Sequence, residues 1–146
     1  MGGNKEIKLV DSNILVYAYD KTEAKKYEIA KELVKERWYN DDAALSIQNL
    51  VEFYSTITSK IKNPLEIEKA KQIVLDYIEG FEIIKYDEKT VIEAINNQAI
   101  YGISFWDALI VATMEENSID TIITENEKDF KKISWVKIIN PFKKIS

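Results

Sequence analysis

Apolar residues along this chain alternate between two spacings. Short, almost unbroken apolar runs at residues 7–10, 43–45, 81–84, 121–123 and 136–139 have the pattern of strands covered on both faces. Between them the spacing becomes helical. Tyr27, Ala30, Leu33 and Val34 form one stripe of a helix predicted from a Thr22 cap to residue 38. Ile47, Leu50, Val51, Tyr54, Ile57, Thr58 and Ile61 form another, on a helix capped by Ser46 and running to about residue 61. Further helices are predicted over 12–19, from Asn63-Pro64-Leu65-Glu66 to Gly80, from an Asp87 cap to 100, and from Ser104 to 116. Asn40-Asp41-Asp42 reads as a turn and Tyr101-Gly102 as a break. Strands alternating with helices predict an α/β fold with a mostly parallel sheet. No repeat or linker interrupts the pattern, so residues 1–146 are expected to form a single domain.

Composition narrows the chemistry. There is no His and no Cys, which removes the commonest general base, thiolate nucleophiles, disulfides and thiolate zinc sites. No apolar run is long enough for a membrane span, and residues 1–6 lack the apolar stretch of a secretory signal, so a cytoplasmic location is expected. The net charge of −5 argues against a simple basic nucleic-acid-binding module but leaves room for an enzyme whose acids are gathered in one site.

Four segments place acids where strands end or helices begin. Asp11 follows the first strand, where it can cap a helix or face a ligand beyond the carboxyl end of the sheet. Asp107 closes Ser104-Phe105-Trp106-Asp107, a capping pattern ahead of the apolar helix Ala108-Leu109-Ile110-Val111-Ala112. Glu52 lies opposite its helix's apolar stripe, beside Gln48, Ser55, Thr56 and Ser59. Elsewhere the polar faces are built from Lys and Glu, so this one reads as a cleft wall as readily as a solvated face. Thr124-Glu125-Asn126-Glu127 spells a capping box at the fourth strand's end, which would put Asp129 in the first turn of a short helix with Phe130 packed inward. Carboxylates brought this close repel and raise one another's pKa values, and a hard divalent cation would relieve the repulsion.

Together these segments resemble the PIN-domain family of metal-dependent ribonucleases, and within it the VapC-type toxins of toxin–antitoxin pairs. The resemblance spans nearly the whole chain. It rests on Val10-Asp11-Ser12-Asn13-Ile14-Leu15-Val16-Tyr17, on Gln48 with Glu52 and Phe53, on Trp106-Asp107-Ala108-Leu109-Ile110-Val111-Ala112, and on Thr124-Glu125-Asn126 with Asp129-Phe130. It implies a five-stranded parallel sheet in the order 3-2-1-4-5 between helices. An acidic cluster at the sheet's carboxyl end would hold Mg²⁺ or Mn²⁺, with Asp11, Glu52 and Asp107 as core acids. Many members carry an Asp where this chain has Asn126, so the fourth carboxylate would be Asp129 or Glu125, or the site would have only three acids and bind metal more weakly; the family pattern, with an acid before the Phe, favours Asp129.

The implied activity is hydrolysis of RNA phosphodiester bonds. Ser12, Asn13, Thr124 and Asn126 would orient ligands or the scissile phosphate. A homodimer that also binds a small antitoxin is implied, with Leu15-Val16-Tyr17-Ala18-Tyr19, Tyr27, Trp38 and Tyr39 as surplus apolar surface for a docking groove. Three alternatives compete: an RNA-processing nuclease without an antitoxin, a PIN-like scaffold that binds without cutting, and a phospho-acceptor module with an acidic metal pocket. The last fits poorly, because Ser12 and Asn13 follow Asp11 where a second acid would be required.

Overall fold

The computed structural model describes residues 6–143; the first five residues, including most of the segment expected not to be a secretory signal, lie outside them. Among the described residues five parallel strands form one sheet in the order β3-β2-β1-β4-β5. The strands are β1 (Lys8–Val10), β2 (Ala43–Ser46), β3 (Glu82–Ile84), β4 (Thr121–Ile123) and β5 (Lys137–Ile139). Helices α1 (Ser12–Tyr17), α2 (Ala24–Asn40), α3 (Ile47–Ser59), α4 (Ile67–Gly80), α5 (Glu88–Tyr101) and α6 (Phe105–Glu116) connect them. Among the described residues no helix is long and apolar enough to cross a membrane.

The sheet's two faces carry two apolar clusters. Val10, Leu45, Ile14, Leu15, Phe53, Ile57 and Tyr77 belong to one, and Leu9, Ala44, Ile122, Leu109, Met114 and Phe130 to the other. Successive strand residues such as Leu9 and Val10 point to opposite faces and are both buried, which is why the strands read as unbroken apolar runs. Helix α6 is buried on nearly all sides, as its composition predicts. Gly102 ends α5 in the left-handed region at φ 64°, where a side chain would be strained.

Several local expectations are corrected. Thr22 does not cap α2; its N–H and hydroxyl both donate to Asp20 Oδ1, making a local turn that delays the helix to Ala24. Asn63-Pro64-Leu65-Glu66 is not the first turn of α4. Leu65 N–H donates to the Ile57 carbonyl at 2.8 Å, which holds this segment against the end of α3 until the helix begins at Ile67. The core stripe of α3 is Leu50, Phe53 and Ile57, while Val51 faces solvent, a shift of the apolar face toward the site side of the helix. Leu15 is fully buried in the core, so it adds nothing to a docking groove. Thr124-Glu125-Asn126-Glu127 forms no capping box. Thr124 Oγ1 accepts from Asn126 N–H, and only the short 3-10 turn Phe130–Lys132 follows.

Candidate active site

Parallel pairing brings the carboxyl ends of β1, β2 and β4 to one crest, where β1 leads into Asp11, β4 into Thr124, and β2 ends in Ser46. Asp11 stands at the centre and is 5% exposed. Its Oδ1 accepts from Ser12 N–H at 2.8 Å and Asn49 Nδ2 at 3.3 Å. Its Oδ2 accepts from Thr124 Oγ1 at 2.8 Å and Asn13 Nδ2 at 3.4 Å. Burial still wins over these donors and raises the Asp11 carboxyl above its ordinary value.

The donors hold one another in turn. Asn13 Nδ2 also donates to Thr124 Oγ1 at 3.1 Å, and its Oδ1 accepts from Glu125 N–H. Asn126 enters through its backbone N–H; its exposed side chain makes no hydrogen bond among the described residues. Asn49 was not singled out in the sequence. It forms a capping box with Ser46, which fixes its amide and leaves Nδ2 to reach Asp11. The Ser-x-x-Asn spacing after β2 was the available signal.

Glu52 projects from α3 toward the same crest, and Ser12 Oγ donates to its Oε1 at 3.2 Å. Burial, then the charge of Asp11, raises its pKa. Asp107, in the first turn of α6, is pushed up to about 7, chiefly by burial, then by a hydrogen bond with the Asp129 carboxyl and by the charges of Asp11 and Asp129. Asp129 moves the other way because the Ser104 N–H donates to its Oδ2 at 3.0 Å and stabilises the anion. Asp107 is therefore the proton holder of the pair.

Glu125, the rival fourth carboxylate, is held elsewhere. Tyr17 O–H donates to its Oε1 at 2.8 Å, and Lys26 Nζ forms a short ion pair with its Oε2. Sequence reasoning missed this trio, whose members lie far apart in the chain.

Asp11, Glu52, Asp107 and Asp129 have no Lys or Arg within ion-pair distance among the described residues, although seven such pairs occur elsewhere. Their donor set is all oxygen, its acids are partly desolvated, and among the described residues no cation within ion-pair distance balances Asp107. That chemistry fits a hard divalent ion. Among the described residues, however, no three acids already form a finished metal site. Glu52 is tied to Ser12 and Asp129 to Ser104, so side chains must turn inward, or waters bridge them, before an ion is shared. Mg²⁺ keeps several waters and tolerates few direct carboxylates.

Comparison with known proteins places this arrangement. The PIN-domain family model matches residues 8–136, and the chain belongs to that family. A search of curated protein sequences finds no significant match. Similar solved structures include a toxin–antitoxin complex from Klebsiella pneumoniae, with TM-score 0.65, 22% identity, and 92% of this chain and 97% of that chain covered. VapBC2 from Rickettsia felis, bound to a DNA fragment from its promoter, gives 0.66, 22%, 92% and 98% in the same terms. Mycobacterium tuberculosis VapC20, described as a Sarcin-Ricin loop cleaving toxin, gives 0.66, 14%, 86% and 93%. At these identities the likeness is one of fold.

Proposed function

We propose that this protein is a divalent-metal-dependent endoribonuclease and the toxin of a toxin–antitoxin pair. One observation carries the catalytic part: acids from four separate segments lie around the crest with no Lys or Arg within ion-pair distance among the described residues, and burial and the neighbouring carboxylates push the Asp107 carboxyl up to about 7. Asp11 and Asp107 would hold a Mg²⁺ or Mn²⁺ ion, with Asp129 supporting Asp107 and Glu52 orienting water from the α3 side. When bound, such an ion supplies charge neutralisation at a phosphodiester and a lowered pKa for water. Ser12, Asn13, Asn49 and Thr124 keep the Asp11 carboxylate aimed during the reaction. With no His in the chain, the leaving oxygen takes its proton from solvent. RNA as substrate is supported by the family and by the Sarcin-Ricin loop cleavage described for VapC20.

An antitoxin partner is supported by the complexes among the similar structures and by a groove between α2, α4 and the loop joining α3 to α4. Tyr19, Tyr27, Trp38 and Tyr77 line it, and Lys31, Lys35 and Lys69 flank them. Such a surface suits an amphipathic segment with acidic flanks. A homodimer in solution completes the reading.

The test is cleavage of an RNA oligonucleotide with Mg²⁺ or Mn²⁺, with EDTA, and by Asp11→Asn and Glu52→Gln. Cleavage should need the metal and fall at least about a hundredfold in each variant, the scale on which losing an electrostatic group at the reacting centre is felt. Undiminished cleavage in EDTA, or by the variants, would remove the mechanism.

A further inference from the structure

A second cleft opens beside the acidic crest, on its β3 side. Its cavity of about 400 Å³ lies between α3, the start of α6 and the chain leaving β3, and shares Ser12 and Glu52 with the crest. That is within the range of small-ligand clefts, roughly 300–1,000 Å³. Lys60, Tyr86, Trp106, Ser55 and Thr56 complete much of its wall.

Three features of this wall point to a nucleotide. Trp106 is 61% exposed, and its ring makes a T-shaped contact with Phe105 at a centroid distance of 5.5 Å. Gln48 Nε2 donates to the Trp106 carbonyl at 2.9 Å and ties that residue to α3. Gln48 itself is 5% exposed and lines the cleft, and its Oε1 is buried without a hydrogen-bond partner among the described residues. Lys60 is the only cation lining the cleft; it lies near enough to lower the Glu52 pKa and makes no ion pair among the described residues. An exposed aromatic face, a second aromatic at Tyr86 and one ammonium outside any ion pair among the described residues match the base and phosphate of a single nucleotide.

We propose that this cleft binds the nucleotide flanking the scissile phosphate in single-stranded RNA, its base stacked on Trp106 and its outer phosphate against Lys60. The proposal rests on the ribonuclease reading and adds to it a base-binding subsite beside the crest. A stacked duplex cannot offer a base to Trp106, whereas a loop or single strand can. In a chain of net charge −5, aromatic stacking supplies affinity that electrostatics alone would not.

The experiment has two readouts. Anisotropy of a labelled single-stranded RNA, without divalent metal, should show about tenfold weaker binding for Trp106→Ala and Lys60→Gln, and near wild-type binding for Trp106→Phe. In cleavage assays Trp106→Ala should raise KM by about tenfold and leave kcat little changed. An abasic nucleotide at the flanking position should cost the wild type as much, and cost Trp106→Ala nothing further. Equal binding by wild type and variants overturns the assignment, as does a Trp106→Ala defect confined to kcat or seen only in binding a protein partner. Binding that depends on Trp106 without any cleavage would remove the ribonuclease reading and leave the cleft as an RNA site. Trp106 is exposed, so its variants should fold, and circular dichroism checks this.

Discussion

At the level of single residues, the site stores electrostatic cost in Asp107. Its carboxyl is raised from 3.8 to about 7, by burial first and by the Asp129 and Asp11 carboxyls after it. In the metal-free protein the folded state therefore holds this proton more tightly than the unfolded chain does. The resulting stabilisation is complete below 3.8 and is lost as pH rises through about 7. Asp11 and Glu52 are raised and act in the same direction. Asp129 is lowered from 3.8, so its contribution is present above that value and disappears only in stronger acid, outside this window. The metal-free protein should therefore melt at progressively lower temperature from about pH 5 to about pH 8, with a flatter profile for Asp107→Asn. Mn²⁺ should restore the wild type at the alkaline end. Thermal melts across this range, with and without metal, check it; a wild-type profile that rises with pH, or is unchanged by Asp107→Asn, contradicts the assigned cost. Asp11 and Asp107 stand out in the sequence because one follows a strand and the other opens a helix, and Glu52 because it lies opposite its helix's apolar stripe. Asn49 and the Tyr17–Lys26–Glu125 trio do not, since side-chain partners across the chain leave no local pattern.

At the level of elements, local patterns succeeded where the cap and the tertiary contacts agree, and failed where they compete. Ser46, Asp87 and Ser104 all cap the helices expected of them. Thr124 spells an equally good cap but spends its hydroxyl on Asp11, and Leu65 is drawn to the end of α3 before Ile67 can start α4. The missing helix after Thr124 changes the case for the fourth carboxylate, because helical angles no longer relate Glu125 to Asp129. The choice now turns on partners. Glu125 is ion-paired with Lys26 and accepts from the Tyr17 O–H, while Asp129 shares a hydrogen bond with Asp107. Asp129→Asn should lower Mn²⁺ affinity and cleavage well below the levels of Glu125→Gln. The latter removes a partly exposed ion pair, worth about 0.2–1 kcal/mol of stability, and should leave the crest intact. Calorimetric Mn²⁺ titration and cleavage rates decide between them; equal losses, or a greater loss for Glu125→Gln, would reverse the assignment.

At the level of the whole molecule, the α/β alternation and the strand order were accessible from apolar spacing and from family resemblance, because the sheet is buried on both faces. The division of the surface was not. The acidic crest shares Ser12 and Glu52 with the Trp106 cleft, whereas the lysine-flanked aromatic groove lies against α2 and α4. If the groove receives the antitoxin, partner binding and RNA cleavage should separate by mutation. Lys31→Glu with Lys35→Glu reverses two charges on the groove rim without touching any residue of the crest. An acidic partner should then bind more weakly and lose its salt dependence, since the attraction screened by salt is what the substitutions remove. RNA cleavage by the free variant should persist, and the antitoxin should inhibit it less than it inhibits the wild type. The product of a neighbouring small gene, titrated at low and high ionic strength, provides the measurement. Unchanged affinity at both salt levels would place the partner on another face of the molecule.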